Sequence, residues 1–511
     1  MSLARLKPWH LGLGLVAIVA LFVVLWPLGL GRDYVNHLAR TYIEAELGSD
    51  AALQQYYAIS VDFIPDLMMD LIIPWLSQAI GIYAAGGVTV WLAFVLPPLA
   101  GMALAKSLHG RVTWVSLLGF LTVFNANMDW GFVNFAAASG LALLAFVLWQ
   151  KMLPGWRRTL IFAPVGLFLV VNHALAFLVF GFLALAWEVI SFAHKERGSL
   201  RGFFRQCVLL DFPAMALALA FLGLSISGAA DLPATLDPLY SPVLKTQALF
   251  AATQFGPVAI GLISAFALLG FFGVGIRQKW LAFADKTGAL CAAFLVLIVF
   301  MPTAIFGIWG LHLRYTGLLV VLVAACVVPT EAFTQRARQV CLAIFTAVAV
   351  LAFANGALQM AWVDRQNSAL KSVLSDMPRG AKVLTVYAEA EIDSAFTAHA
   401  GALAVIERSA YVPNLFTNTS LVDVTPSMVD LHMPQAKPVF ASELADFAAR
   451  APTASRNGYW SLGFAAAWPS RWDYLLYFKT PDQAGLEGFE ICEISATPAI
   501  ILYKTSACPE G

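Results

Sequence analysis

The 511-residue chain is 60% hydrophobic and only 12% charged, and its 31 basic and 31 acidic residues cancel. Soluble domains carry roughly 25% charged residues, so the composition excludes a soluble globular protein, and the zero balance offers no basic field for nucleic acid. What remains informative is where the charges lie along an integral membrane chain.

The first apolar run, about 11–30, follows Arg5 and Lys7 and ends in "LWPLGLGRD". Bulky residues replace the small ones that a signal peptidase needs, so the run reads as a retained signal anchor. Further runs near the length required to cross ~30 Å of hydrocarbon lie at about 86–105, 112–126, 131–150, 159–173, 175–193, 207–227, 254–275, 287–306, 315–331 and 338–358, about eleven in all. The pair meeting at Asn172 and His173 also reads as one broken or re-entrant element.

A first connection of some fifty residues, about 31–85, opens with "GRDYVNHLAR", in which Asp33, His37 and Arg40 fall at helical spacing. It continues into "VDFIPDLMMDLIIPWLSQAIGIY", where Asp62, Asp66 and Asp70 share one face of a helix with apolar residues opposite. This predicts a helix lying in the membrane interface, since an extra span would carry three acids into lipid.

With the N-terminus in the cytoplasm, the inside connections hold sixteen lysines and arginines, and the outside ones before the tail hold only Arg32, Arg40, Lys245 and Arg314. The positive-inside rule therefore places the tail outside, in the periplasm of a bacterial inner (plasma) membrane. That tail, 364–511, follows a transmembrane domain over 1–363 and regains charge. Strand-like runs appear at "AKVLTVY", "ALAVIE", "WDYLLYF", "FEICEI" and "AIILYK", and helices at 364–376 and "ASELADFAARA". About 145 residues suffice for one exported α/β domain. Cys207, Cys291, Cys326 and Cys341 fall in or beside the spans as small apolar groups. Cys492 and Cys508 are the two cysteines of the tail, and an oxidising compartment lets them pair.

Ionisable groups near membrane depth cost roughly 2.5–3.5 kcal/mol each at a helix centre, which makes them functional candidates. They collect on the outer side: Asp33, His37 and Arg40; Asn125, Asn127, Asp129 and Asn134; Asn172 and His173; Asp231 and Asp237; His312 and Arg314. Each has a plainer reading. Asp33 caps a helix or pairs with Arg40, His37 is an interfacial histidine, Asp129 closes a hydrogen-bonded turn, and Arg314 is a snorkelling anchor, although an outer arginine runs against the topological trend. Asp33 and His37 with a distant acid also form a possible oxygen and imidazole set for a divalent metal. No GxxxxGK[ST], HExxH or GxSxG string occurs, which removes support for nucleotide hydrolysis and the common hydrolase sites.

The layout, with a first span ending in Asp33 of "GRDYVNHLAR", a long outer loop, about eleven spans and an exported α/β tail, resembles the GT-C membrane glycosyltransferases. That group includes the aminoarabinose, protein O-mannosyl and oligosaccharyl transferases. The resemblance implies an α-helical polytopic enzyme that moves a sugar, with inversion, from a polyprenyl-phosphate donor to a lipid, glycan or protein acceptor on the outer face. It implies catalytic roles for Asp33 and, in "NANMDWGF", Asp129, either of which would also ligate a divalent cation such as Mg or Mn. It implies phosphate binding by Arg314 in "LHLRY", with His37, Arg40, His173 and His312 as further substrate-binding groups. Tyr34 follows Asp33 where the mannosyltransferases have a second acid, and no WWD string occurs in the tail, so those two activities are disfavoured. The competing readings are a transporter or flippase of a lipid-linked substrate, which would place its polar residues near the midplane, and a membrane assembly protein whose tail docks a partner.

Overall fold

The structure, a computed structural model, describes residues 7–60, 64–194, 199–228, 240–305, 308–388, 399–417, 421–433, 438–451 and 462–508. The mostly helical chain contains α1 (Pro8–Leu25), α2 (Asp33–Glu46), α3 (Ala51–Tyr56), α4 (Met68–Ile80), α5 (Ile82–His109), α6 (Ala126–Asp129), α7 (Val133–Lys151), α8 (Trp156–Asn172) and α9 (Ala174–Ala193). It continues with α10 (Leu200–Gln206), α11 (Phe212–Gly228), α12 (Pro242–Ala251), α13 (Val258–Arg277), α14 (Thr287–Phe300), α15 (Leu311–Arg314), α16 (Thr316–Cys326) and α17 (Gln335–Leu374). By contacts it divides into two units: residues 1–25, 65–68 and 88–359, and residues 26–64, 69–87 and 360–511. The boundary expected at 364 thus falls inside α17, and most of the first connection belongs with the tail.

In the first unit, packing of apolar helices sets the arrangement: α8 lies along α11, α7 along α9, and α14 against both α9 and α16. Gly140 of α7 marks a close backbone approach, because a Cβ there would sit 2.6 Å from the Leu96 backbone of α5. Trp149, Phe162 and Phe180 form the aromatic centre. Beside them, buried Arg158 meets Glu188 at 2.9 Å, bonds Asp211 and stacks on Trp149, and Gln206 Nε2 donates to both carboxylates at 2.9 and 3.0 Å.

Among the described residues seven helices are long and apolar enough to cross a membrane, with shorter apolar helices at Met68–Ile80, Thr287–Phe300 and Leu311–Cys326. The difference from eleven has local causes. Residues 112–126 form a 3-10 stretch over Val115–Thr122, eight residues long, which at ~2.0 Å rise per residue covers only about 16 Å. Helices α8 and α9 are separate elements, interrupted at His173, whose extended backbone (φ −170°, ψ 122°) ends one, and whose Nδ1 accepts the Leu175 N–H to begin the other. The helix expected in this connection forms as α4, and Asp70 is the one of the three acids within it; Asp66 precedes it in non-helical backbone after Pro65, and Asp62 lies outside the described residues.

In the second unit a five-stranded sheet runs in the order Cys492–Ala496, Ile500–Lys504, Tyr474–Phe478, Val383–Tyr387, Val439–Phe440. The first two pairings are antiparallel and the last two parallel. The strands Val383–Tyr387 and Tyr474–Phe478 are buried at every residue, which explains their unbroken apolar runs. "ALAVIE", expected as a strand, is instead the helix Leu403–Arg408, packed on α2. Its alternation is weak, and a buried helix and a buried strand share such short apolar runs. Cys492 and Cys508 are joined in a disulfide, while Cys207, Cys291, Cys326 and Cys341 are free thiols.

Candidate functional site

In the second unit, α2 starts at Asp33 after Arg32, whose φ of 51° turns the chain sharply into the helix. The apolar residues Tyr34, Val35, Leu38, Ala39 and Ile43 of α2 are fully buried, and this fixes its rotation. The face so presented carries Asp33, Asn36, His37 and Arg40. Asn36 is the organising residue: its Oδ1 accepts the Phe416 N–H at 2.8 Å, and its Nδ2 donates to the Asn414 carbonyl at 2.8 Å and to His399 Nδ1 at 3.3 Å. With Nδ1 accepting, the neutral His399 ring carries its proton on Nε2, which faces Asp33 Oδ1 at 3.6 Å. Burial pushes His399 down to about 4, so the ring is neutral at physiological pH. His37 and His399 both set their edges against Phe416, at 5.5 and 4.8 Å.

Arg40 points to a different partner. It meets Asp70 at 2.6 Å, and both side chains are shut off from solvent. Burial, reinforced by the adjacent Asp70 carboxylate, drives the Glu44 carboxyl far above the usual range, so Glu44 carries a proton and hydrogen-bonds to Asp70. Arg40, Asp70 and protonated Glu44 therefore form a charge-compensated buried set, the kind in which removal of one member is costly.

In the first unit, α6 is capped by Asn125, whose side chain accepts the Asn127 N–H at 2.8 Å. Asn127 in turn donates to the Arg314 carbonyl at 3.1 Å, tying α6 to α15. Asp129 Oδ1 accepts the Gly256 N–H at 3.0 Å, at a turn whose φ of 69° favours glycine. The Arg314 guanidinium lies 3.8 Å over the Phe132 ring and 5.6 Å from that of Phe135. His173 meets the other side of this cluster, edge-on to Phe135 at 5.3 Å, with its Nε2 3.8 Å from Asp66 Oδ1. Asn134 Nδ2 donates to that same Asp66 oxygen at 2.9 Å. Arg314, His173 and Asp66 thus gather around two phenylalanines, while His312 is buried on α15.

An apolar groove of about 580 Å³ runs along α14, lined by Phe182, Val296, Leu297, Phe300, Met301 and Pro302. At its end the Lys245 ammonium donates to the carbonyls of Ile298 at 2.8 Å, Val299 at 3.1 Å and Met301, closing the C-terminus of α14 with a cation. The groove supplies an apolar trough, and Lys245 marks its polar end.

The sequence reading missed His399, Asn36, Asp66 and Lys245. Asn36 was visible one turn from Asp33, whereas His399 has no local signal. Asp231 and Asp237 lie outside the described residues. Among the described residues no three His, Cys, Asp or Glu side chains converge on one point. Asp33 with His399 supplies one carboxylate and one imidazole, which is too few to hold a divalent cation by protein groups alone.

The fold itself has known counterparts. ArnT from Cupriavidus metallidurans, solved in the apo state, aligns with a TM-score of 0.56, and the same protein bound to undecaprenyl phosphate with 0.54. Each alignment covers 97% of this chain and 99% of that one, at 11% identity. At this identity the likeness is one of fold. No family model and no curated protein matches the chain.

Proposed function

We propose that the chain is a multi-pass membrane glycosyltransferase of the GT-C type, taking a sugar from a polyprenyl-phosphate donor to an acceptor hydroxyl on the outer face. The observation that carries this reading is the ArnT fold over 97% of the chain, in a protein whose own Asp33 is aligned by a neutral imidazole.

The chemistry assigned to each residue follows from its surroundings. The groove along α14 takes the prenyl chain, because its apolar lining packs against methylenes without presenting polar atoms to them. Arg314, already a flat cation on Phe132, holds the phosphate leaving group by paired N–H donors, with Lys245 as a second cation of the same unit. Asp33 accepts the acceptor hydroxyl proton as the new glycosidic bond forms and the bond to phosphate breaks. His399 donates to the carboxylate and keeps one oxygen directed. His37 on α2, and His173 and His312 in the unit of Arg314, are assigned as positioning groups; Arg40 supports α2 through Asp70, and Asp129 acts through the turn at Gly256. Asp33 and His399 would hold a divalent cation only together with donor phosphate oxygens, and no step is assigned to one. The positive-inside distribution of charge supports an inner-membrane protein with a cytoplasmic N-terminus and a tail domain outside.

The test is sugar transfer by the purified full-length protein in nanodiscs, offered a panel of undecaprenyl-phosphate-linked sugars, with the Asp33→Asn and Arg314→Ala variants alongside. Transfer from one donor that both variants abolish supports the reading. Binding of no undecaprenyl phosphate by the wild type, or full transfer by both variants, overturns it.

A further inference from the structure

The end of the first unit opposite Lys245 holds a second cavity, of about 310 Å³, where the C-terminal ends of α5 and α7 meet the N-terminus of α14. Along α14, fourteen residues at 1.5 Å each separate it from the Lys245 end by roughly 20 Å. None of the residues assigned to sugar transfer reaches it. Its walls carry several polar side chains. Gln150 Nε2 donates to Ser107 Oγ at 2.9 Å, and Lys151, Asp285 and Lys286 all line the space.

Lys286 is the distinctive group. It is only 7% exposed, its ammonium donates to Ser191 Oγ at 2.8 Å, and it lies 4.3 Å over the Trp187 ring, which also lines the cavity. A lysine held this deep is costly in a membrane protein unless its position has a use. Lys151, Lys286 and Asp285 sum to one positive charge, while the positive dipole end of α14 is offset by the negative, C-terminal ends of α5 and α7. The cavity is therefore electropositive, and small enough for one phosphate-bearing group.

The cavity also opens toward lipid. On α7 the residues Leu144, Leu148 and Lys151 follow one another at helical spacing; Leu148 is 52% exposed, and Lys151 ends the stripe at the cavity. The lysine- and arginine-rich connections, including Lys106, Lys151 and Arg157, fall at this same end of their helices, which the positive-inside rule assigns to the cytoplasmic leaflet. Basic pockets between helices on that side are suited to anionic headgroups.

We propose that this cavity is a binding site for a phosphate-bearing anion, filled by the headgroup of an anionic phospholipid whose chain lies along the Leu144–Leu148 stripe. Lys286 and Lys151 contact the phosphate, Gln150 and Ser107 bond its oxygens or glycerol hydroxyls, and the Asp285 carboxylate disfavours groups carrying more than about two negative charges.

The experiment measures both sources of phosphate on the full-length protein. In one arm, native mass spectrometry follows retention of phosphatidylglycerol against phosphatidylcholine; in the other, glycerol 1-phosphate at millimolar concentration is titrated while the melting temperature is read. Lys286→Gln tests the buried cation. Because that variant can fail to fold, Lys151→Glu, at an exposed position, is measured beside it. Retention of phosphatidylglycerol, weakened at least tenfold by Lys151→Glu, supports a lipid site. A glycerol 1-phosphate shift that Lys151→Glu abolishes supports the same anion site with a soluble source. Binding in neither arm, or binding in both arms unchanged by either variant, overturns the proposal.

Discussion

Asp33 Oδ1 lies 3.6 Å from Nε2 of His399, and the tautomer of that ring is set by Asn36. An acid at the start of α2 is thus held by a histidine far along the chain, through a residue one helical turn from the acid itself. Loss of a positioned base of this kind lowers rate by about 10²–10⁴-fold. Asp33→Asn is expected to reduce kcat for sugar transfer by that factor, with binding of undecaprenyl phosphate unchanged; His399→Gln is expected to reduce it less and to shift the acid limb of the pH profile. Steady-state transfer assays across pH check both.

The buried trio of Arg40, Asp70 and Glu44 gives an asymmetric expectation. Asp70→Ala strands a buried guanidinium and is expected to cost about 3–5 kcal/mol, seen as a large fall in melting temperature. Glu44→Gln replaces a carboxyl that already carries a proton, and is expected to melt within a few degrees of the wild type. Equal destabilisation by the two would show that Glu44 is ionised.

Stability should fall in acid for a reason that can be assigned. Burial lowers His399 to about 4 and His432 to about 3, from an ordinary value of 6.5. Below pH 6.5 the unfolded chain binds these two protons while the folded chain does not, so stability rises with pH across the window from about 4 to 6.5. The contribution of the pair reaches about 2.7 kcal/mol per pH unit and flattens as pH falls through the folded values. Denaturant melts at pH 7, 6 and 5 test this, and His432→Phe should reduce the slope by about half.

Arg314 stacked on Phe132 predicts that charge alone is insufficient there. Arg314→Lys keeps the cation but loses the planar pair of donors, and is expected to weaken undecaprenyl phosphate binding by about tenfold. Binding measured in nanodiscs distinguishes this from an anchoring role, for which lysine would serve equally well.

The bond between Cys492 and Cys508 closes a loop with a sequence separation of 16. A loop of that size is worth about 3 kcal/mol. The double serine variant is expected to lower the melting temperature of the tail domain, and a reductant should do the same to the wild type and nothing to the variant.

Much of the fold was legible where one physical signal dominated. The strands Val383–Tyr387 and Tyr474–Phe478, and Ile500–Lys504 up to its exposed last residue, are near-continuous apolar runs because both faces are buried, and hydropathy finds such runs directly. Hydropathy also registered Val115–Thr122 as apolar, but it cannot tell a 3-10 stretch from a spanning α-helix. The three acids of the first connection suggested one helical face, yet Pro65 and the bonds from Asn134 and His173 hold Asp66 outside α4. At the candidate site, the stripe from Asp33 to Arg40 was visible because i, i+3 and i+4 spacing is local. Its division of labour was not, since Arg40 turns to Asp70 while Asn36 and Asp33 turn to His399, and those pairings are tertiary. Lys245 had been counted only as an exception to charge topology, and its three carbonyl partners belong to a helix that follows it by fifty residues or more.

The strand Cys492–Ala496 ends the five-stranded sheet on one side, and its pairing slips between Glu493 and Ser495. An open sheet margin with regular spacing invites another extended chain to add itself by main-chain bonds. Here the slip breaks the spacing of the outward N–H and C=O groups, and the cystine fastens the same strand to the segment beyond its neighbour. An acceptor polypeptide therefore gains no ladder from this margin. What this margin presents is the exposed side chains of Glu493 and Ile494 in place of a regular row of main-chain groups.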